Sequence, residues 1–235
     1  IAKLFDPVGW LAPKIVVAKI VMQQIWKNKT EWDECLKPMT LKSWLAFVDD
    51  YSNIERINIP RWVEYNPQCE IQLHAFCDAS EKAYAATLYS RVRTPSGVFI
   101  THLLAAKSKV APIKVISLPR LELCGATLLA KMVNSLRSEL NLVVSEAFYW
   151  TDSTIVLSWL QKPPYDWPTF VANRVSLISD KVGIDNWNHV DSRDNPADLA
   201  TRGMSARDLV GCDIWWNGPR WLSRPQSEWP KKSIR

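Results

Sequence analysis

The sequence predicts an α/β protein of the α+β type, with a five-stranded mixed sheet and helices on both faces. Three observations lead to this fold class. Residues 70–80 alternate with period two, which is typical of a strand. Two more strand-like stretches, 83–92 and 98–105, are joined by a turn-rich link at 94–97, so the three predict an antiparallel meander. Beyond them, helical spacing alternates with short apolar strands, which places helices on both faces of the sheet.

The remaining core elements follow in chain order. Ser117 and Pro119 open a long helix with an apolar, core-facing stripe. A fourth strand at 147–151 ends where another helix begins, and residues 170–178 predict a further helix. Residues 186–190 predict a short fifth strand.

Two flanks surround this strand-rich core of residues 69–201. Residues 1–65 predict a small helical segment, with helices beginning near Pro13 and after Pro38. The second helix carries apolar residues at helical spacing: Leu41, Trp44, Leu45 and Val48. Residues 202–235 are rich in Trp, Pro and Arg without periodicity, so we expect an irregular tail that wraps the core or links to a downstream domain. Because residue 1 is Ile and not Met, we expect the chain to be a piece of a longer polypeptide.

Composition and charge narrow the class of protein. The 235 residues are 47% hydrophobic, which suits a globular protein, and no apolar run reaches the length of a membrane helix. The five cysteines are odd in number and widely spaced, which predicts buried free thiols in a reducing compartment. No CxxC pair occurs and the three histidines lie far apart, so we expect no zinc site.

The net charge of +5 is unevenly distributed. No acid lies between Glu81 and Glu122, whereas seven basic residues do: Lys82, Arg91, Arg93, Lys107, Lys109, Lys114 and Arg120. This stretch predicts either a solvated basic face or a surface that follows a phosphate backbone.

Acidic residues stand at the ends of separate predicted elements. Asp78 ends the first strand, Glu122 lies in the opening turns of the long helix, and Asp152 follows the fourth strand. Asn195 and Pro196 suit the cap and first position of the last helix, which places Asp198 third and leaves Asp194 in the preceding loop. Each acid alone has a plain alternative, as a turn residue, a cap, or a partner of the helix dipole. Together they are what a two-metal, phosphodiester-cleaving site needs.

One acidic pair imitates a catalytic motif in a segment with the wrong predicted structure. Residues 47–50 (FVDD) imitate the Tyr-x-Asp-Asp signature of reverse transcriptases, which lies on a hairpin turn. Here the surrounding pattern is helical, with Asp49 and Asp50 off its apolar stripe. We therefore expect both to be surface acids.

Several motifs resemble one family. They are 76–80 (FCDAS), 118–126 (LPRLELCGA), 150–154 (WTDST) and 194–203 (DNPADLATRG). This set resembles the ribonuclease H-like region of Pao/BEL-type LTR retrotransposon polyproteins. Residues 4–13 (LFDPVGWLAP) resemble the part after the reverse-transcriptase palm, and 216–222 (WNGPRWL) the stretch leading towards integrase.

The resemblance implies a ribonuclease H-like fold and a Mg²⁺-dependent endonuclease that cuts the RNA strand of RNA–DNA hybrids during reverse transcription. Asp78, Glu122, Asp152 and Asp198 match the catalytic carboxylates, which would hold two Mg²⁺ ions, with Mn²⁺ as an alternative. Five basic residues are expected to contact the nucleic acid: Lys107, Lys109, Lys114, Arg120 and Arg193. The implied partners are the hybrid and the polyprotein's reverse transcriptase and integrase, with no membrane. The implied location is intracellular, in a cytoplasmic virus-like particle with a nuclear phase.

One departure and three alternatives remain. Many ribonucleases H carry a histidine in a loop just before the last helix, where this chain has Arg193, while His189 lies on the strand side. The family also carries a peptidase label, but an aspartic peptidase needs Asp-Thr-Gly or Asp-Ser-Gly, and neither tripeptide occurs. An integrase of the same fold would need a terminal Glu on a long helix. A catalytically inactive nucleic-acid-binding or connection module is the other alternative.

Overall fold

A five-stranded mixed sheet with the order β3-β2-β1-β4-β5 forms the centre of this computed structural model. The structure describes residues 4–60, 62–63, 69–139 and 144–230. The strands are β1 (Glu70–Ala79), β2 (Ala83–Arg93), β3 (Phe99–Val110), β4 (Val144–Thr151) and β5 (Trp187–His189). The α-helices are α1 (Ala12–Lys27), α2 (Pro38–Asp49), α3 (Leu118–Glu139), α4 (Thr154–Leu160), α5 (Thr169–Val182), α6 (Ala197–Arg202), α7 (Ala206–Val210) and α8 (Asp213–Asn217).

Strand pairing brings the two halves of the core together. β1, β2 and β3 form the predicted antiparallel meander. β4 then pairs parallel to β1, and β5 parallel to β4, with Cys77 beside Thr151 and Thr151 beside His189. The carboxyl ends of β1, β4 and β5 therefore lie at one edge of the sheet. The predicted five-stranded mixed sheet is confirmed.

Both faces of the sheet are covered, as predicted. Leu73, Ala75 and Cys77 pack under α3 and α5, whereas Phe76 belongs to a second cluster on the opposite face. Because β1 is buried on both sides, even His74 has no exposed surface. Its ring stacks on Phe148 and its Nδ1 accepts a hydrogen bond from Trp150 Nε1 at 3.2 Å.

The described part of the carboxyl-terminal tail, residues 202–230, packs on the core, and its role as a link to a downstream domain stays a prediction. Trp215, Leu222 and Trp229 are buried in the second cluster. The buried Arg91 fastens this segment, since it donates hydrogen bonds to the carbonyl oxygens of Leu222 (2.6 Å) and Arg224 (2.8 Å). Residues 202–230 contain short helices and 3₁₀ turns, and none of these described elements is long enough to show a period in the sequence.

The segment before α1 protects the outer edge of β3. Val8 O accepts a hydrogen bond from Ala106 N at 2.8 Å, and Trp10 Nε1 donates to Leu104 O at 3.2 Å. Gly9 has φ +78°, and a Cβ at this position would collide with the Ala106 carbonyl oxygen. An unprotected edge strand would invite pairing with other chains, so this contact both closes the sheet and holds the amino-terminal segment on it. Packing thus continues across the predicted segment boundaries, and that division stays a prediction.

The expectation that Asp50 is a surface acid is wrong. Its carboxylate lies 2.7 Å from Nζ of the buried Lys14 and accepts hydrogen bonds from the backbone N–H groups of Ala206 and Arg207 at the start of α7. These partners lower the pKa of Asp50 although burial opposes them. Asp49 is exposed, as predicted.

Two smaller expectations need correction. The apolar stripe of α2 faces solvent at Leu41, Leu45 and Val48, since α2 buries Thr40 and Phe47 instead. All five cysteines are free, as predicted, but Cys77 alone among them is buried and Cys35 is exposed.

In the described ranges, none of the helices combines the length and the apolar character needed to cross a bilayer.

Candidate functional site

Asp78 and Asp152 lie side by side at the edge where β1 and β4 end. Asp78 is the last residue but one of β1, and Asp152 follows the last residue of β4. Since Cys77 pairs with Thr151 in parallel register, the two following acids share this edge. Adjacent parallel strands thus bring together acids that are 74 positions apart in the chain.

A glycine allows α3 to approach this edge closely. A Cβ at Gly125 would lie 2.9 Å from the carbonyl oxygen of Asp78, which is tighter than packed side chains tolerate. Glu122, the fifth residue of α3, is carried towards the same edge. It lies beyond the first turn of the helix, so the alternative that it only complements the helix dipole is wrong.

The electrostatics of Asp78 show that the acids are crowded. Asp78 is 7% exposed, and burial raises its pKa from 3.8 to about 6. The hydrogen bond from Thr201 opposes this rise, whereas the charges of Asp152 and Asp198 add to it. Burial also raises the pKa of Glu122, with a further contribution from Asp152. Two of the acids therefore add to these rises: Asp152 acts on both Asp78 and Glu122, and Asp198 acts on Asp78.

Each of the four acids is held by a neighbouring side chain that sequence reasoning did not identify. Thr201 Oγ1 donates to Asp78 Oδ2, Ser153 Oγ to Glu122 Oε2, and Ser192 Oγ to Asp152 Oδ2, each at 2.6 Å. Arg202 pairs with Asp198. The available signal was local, because Ser153 follows Asp152 directly and Thr201 lies one turn after Asp198.

Ser153 connects two elements of the site. Its hydroxyl caps α4 by accepting from Val156 N at 3.1 Å, while it donates to Glu122. This hydroxyl therefore ties the α3 carboxylate to the helix that begins at the end of β4.

Asp198 and Asp194 have different surroundings. The predicted last helix is α6, which α7 and α8 follow; it begins one residue later than predicted, with Pro196 at the cap and Asp198 as the second helical residue. Asn195 still supports this turn, since its Oδ1 accepts from Ala197 N and its Nδ2 donates to Cys77 O. The charge of Asp198 acts on Asp78, whereas Asp194 lines a separate cavity beside Asp213 and Arg220.

The five basic residues expected to contact nucleic acid are all exposed, and their role stays a prediction. Lys107 and Lys109 lie on β3, and Lys114 on the connection that follows it. Arg120, in the first turn of α3, lies over the ring of Phe170 at 5.1 Å. Arg193 follows Ser192, which holds Asp152, so it lies next in sequence to one of the acid contacts.

The donor chemistry fits a hard divalent cation, but the side chains are not arranged around one. Carboxylate oxygens are the ligands that Mg²⁺ prefers, and the crowded charge around Asp78 is what a bound cation would relieve. Within the described ranges, however, no three His, Cys, Asp or Glu side chains form a group that could hold a metal ion as they stand. The four acids instead point their oxygens at Thr201, Ser153, Ser192 and Arg202.

Sheet order, mixed pairing and helices on both faces define a ribonuclease H-like α/β domain with carboxylates at one sheet edge. A family model described as "Pao retrotransposon-like RNaseH-like domain" matches residues 1–153, and the chain belongs to this family. The match includes Asp78, Glu122 and Asp152 and ends before Asp198.

Three solved structures are similar to this chain at low identity. The ribonuclease H1 of Halobacterium salinarum is 14% identical, covers 54% of this chain and 90% of its own, and has a TM-score of 0.34. LC11 ribonuclease H1 in complex with an RNA/DNA hybrid is 13% identical, and the match covers 60% of this chain and 99% of that one with a TM-score of 0.36. The foamy viral protease-reverse transcriptase in complex with dsDNA is 11% identical, and the match covers 80% of this chain and 40% of that one with a TM-score of 0.35. No curated protein sequence matches the chain.

Proposed function

We propose that this chain is a retrotransposon ribonuclease H that hydrolyses the RNA strand of RNA–DNA hybrids in a Mg²⁺-dependent reaction during reverse transcription. One observation carries the proposal. Carboxylates from β1, the end of β4 and α6 share one sheet edge, where burial raises the pKa of Asp78 and of Glu122, and the charge of Asp152 adds to both rises and that of Asp198 to the first. Crowded carboxylates cost the fold stability, whereas a cation site needs them.

Asp78, Glu122, Asp152 and Asp198 would hold two Mg²⁺ ions, or Mn²⁺ ions. When bound, the ions supply Lewis-acid activation of water and of the scissile phosphate. The chain's own contribution is to fix the carboxylates, through Thr201 on Asp78 and Ser153 on Glu122. These hydroxyls keep the oxygens oriented before substrate arrives. Discrimination of RNA from DNA would come from contacts to the 2′-hydroxyl and from groove shape.

The proposed context is a polyprotein in which this domain acts beside a reverse transcriptase and an integrase. The proposed location is intracellular, in a cytoplasmic virus-like particle with a nuclear phase. Arg193 is proposed to take the place of the loop histidine and to act on product release.

A second candidate is a nucleic-acid-binding module without catalysis. It is favoured by the arrangement of the acids, since no three of the described His, Cys, Asp and Glu side chains form a group that could hold a metal ion. Such a module would bind the hybrid equally well with and without Mg²⁺ and would leave the RNA strand intact.

The test is incubation of the full chain with a hybrid labelled on its RNA strand, with Mg²⁺ or with EDTA. We expect cleavage with Mg²⁺ alone, and its loss in Asp78→Asn and Asp152→Asn while hybrid binding persists. Intact RNA under every condition would favour the binding module. Normal cutting by either variant would show that the assigned site is wrong.

A further inference from the structure

A cleft of about 650 Å³ lies between α1, β3 and α3, away from the four acids. Its floor is apolar, with Ala12, Ile15, Leu128 and Met132 among its lining residues. Its charged lining residues are Asp6, Lys19, Lys107, Lys109 and Lys131. Four positive charges and one negative charge therefore surround an apolar depression.

Two of the lysines come from β3 and face the same side of the sheet as α3. Lys107 pairs with Ala86 and Lys109 with Tyr84, and both partners belong to the core packed under α3. Alternate residues of a strand lie roughly 6.8 Å apart, so the two ammonium groups can contact successive sites on an extended ligand. Both side chains are exposed.

The other two lysines close the cleft from the flanking helices. Lys131 is exposed on α3, and Lys19 of α1 donates a hydrogen bond to Ser108 O at 3.0 Å. Burial lowers the pKa of Lys19; the charge of Asp6 opposes this, whereas Lys107 and Lys109 add to it. In the part of the chain that the structure describes, none of the four lysines makes an ion pair within 4 Å. Their mutual repulsion is thus left for a ligand to relieve.

We propose that this cleft binds the phosphodiester backbone of the nucleic acid that the acid site cuts, with Lys19, Lys107, Lys109 and Lys131 on the phosphates. This inference rests on the proposed function and extends it to a second contact region. Unpaired lysines act as point charges that suit phosphates, and the apolar floor can accept sugar and base surface.

The position of the cleft on α3 sets the length of strand that would join it to the acid site. Lys131 is nine residues after Glu122 on the same helix, roughly 13.5 Å along its axis and about half a turn around it. A strand that advances about 3.4 Å per nucleotide needs about four nucleotides to cover the axial distance, and more to pass around the helix. The amino-terminal segment, which contributes Lys19, would then form part of the substrate-binding surface.

The test measures binding of a fluorescent RNA–DNA hybrid in EDTA, so that no cleavage occurs, over a series of salt concentrations. The triple variant Lys107→Gln, Lys109→Gln, Lys131→Gln changes exposed side chains only. We expect at least tenfold weaker binding at 0.1 M salt. The slope of log affinity against log salt should become shallower by about 2 to 3, since each lost phosphate contact removes about 0.9 for duplex DNA.

A matched control and a fourth variant sharpen the result. Lys42→Gln with Lys181→Gln removes exposed lysines outside the cleft and should leave the slope unchanged. Lys19→Gln should remove about one further phosphate contact and make the salt slope shallower by about 0.9. If this variant fails to fold, the triple variant alone decides the test.

An unchanged slope in the triple variant would overturn the proposal, even if hybrid cleavage with Mg²⁺ were normal. Binding of polyglutamate is measured as well. If the triple variant lost polyglutamate binding but kept hybrid binding, the proposal would also be overturned, because the cleft would then serve an acidic peptide. A shallower slope in a protein that never cleaves RNA would support the cleft and reject the nuclease, so the two failures are distinguishable.

Discussion

The hydroxyl of Thr201 lies 2.6 Å from Asp78 Oδ2 and 2.9 Å from the carbonyl oxygen of Asp198. It has one proton and therefore donates to one of these oxygens at a time. Donation to the ionised Asp78 therefore competes with donation to the carbonyl oxygen of Asp198. Thr201 thus couples the protonation of the buried acid to the helix that carries Asp198.

Thr201→Val should weaken the site while keeping the volume of the side chain. Asp78 then loses the donor that lowers its pKa, so its pKa should rise further and the pH profile of hybrid cleavage should move upward. We expect the free energy of unfolding to fall by about 1–3 kcal/mol, because a buried acceptor loses its partner. Thr201→Ser retains the hydroxyl and should restore the profile. Matching profiles for the Val and Ser variants would contradict this role.

The metal-free protein should lose stability as pH rises from about 4 to about 6. Asp78 has a pKa near 3.8 in the unfolded chain and about 6 in the folded one, so the folded state binds more protons in this window. Its stabilising effect is complete below the lower pKa and is lost above the higher one. Urea unfolding in EDTA should show a loss on the order of 3 kcal/mol, since a pKa difference of one corresponds to about 1.4 kcal/mol. Asp78→Asn should be less pH-dependent and more stable than the native chain at pH 7.

Asp50→Asn should destabilise the fold without touching the acid site. It leaves the buried Lys14 ammonium without its carboxylate, and since this pair is only partly buried we expect a cost of about 1–3 kcal/mol. Asp49→Asn is the matched control and should lie within about 0.5 kcal/mol of the native chain, because Asp49 is exposed. Thermal unfolding of the two variants measures the difference. Equal melting temperatures would show that the Lys14 contact carries no stability.

The comparison of Asp49 with Asp50 illustrates what the sequence can predict here. The strands, their order along the chain and the acids at their ends follow from local periodicity, because a strand alternates and an element ends where the pattern changes. The partners of Asp50 and Asp78 lie 156 and 123 positions away. Ser153 and Thr201 lie beside Asp152 and Asp198 in the chain, but no local pattern shows that their hydroxyls hold the distant Glu122 and Asp78, so these contacts were missed.

The burial of β1 shows the same limit. Its period-two pattern predicted a strand but could not show that His74 would be covered, since the cover is Trp229 of the tail, which contacts the imidazole edge-on at 4.8 Å. The tail lacks periodicity and its packing depends on Arg91, a residue of β2. Sequence patterns therefore predicted the sheet well and its aperiodic covering poorly.

The fourth acid of the proposed site is Asp198, and Asp194→Asn is its matched control. Asp198→Asn removes a charge that acts on Asp78, so it should weaken Mg²⁺ binding in calorimetry and slow hybrid cleavage at least tenfold. Its pairing with Arg202 is largely exposed, so stability without metal should fall by about 1 kcal/mol at most. Asp194 lines a different cavity and its replacement should leave Mg²⁺ affinity unchanged. If Asp194→Asn proved the more damaging change, the helix position of Asp198 would not define the ligand, and the assignment would move to the 3₁₀ turn at Ser192–Asp194.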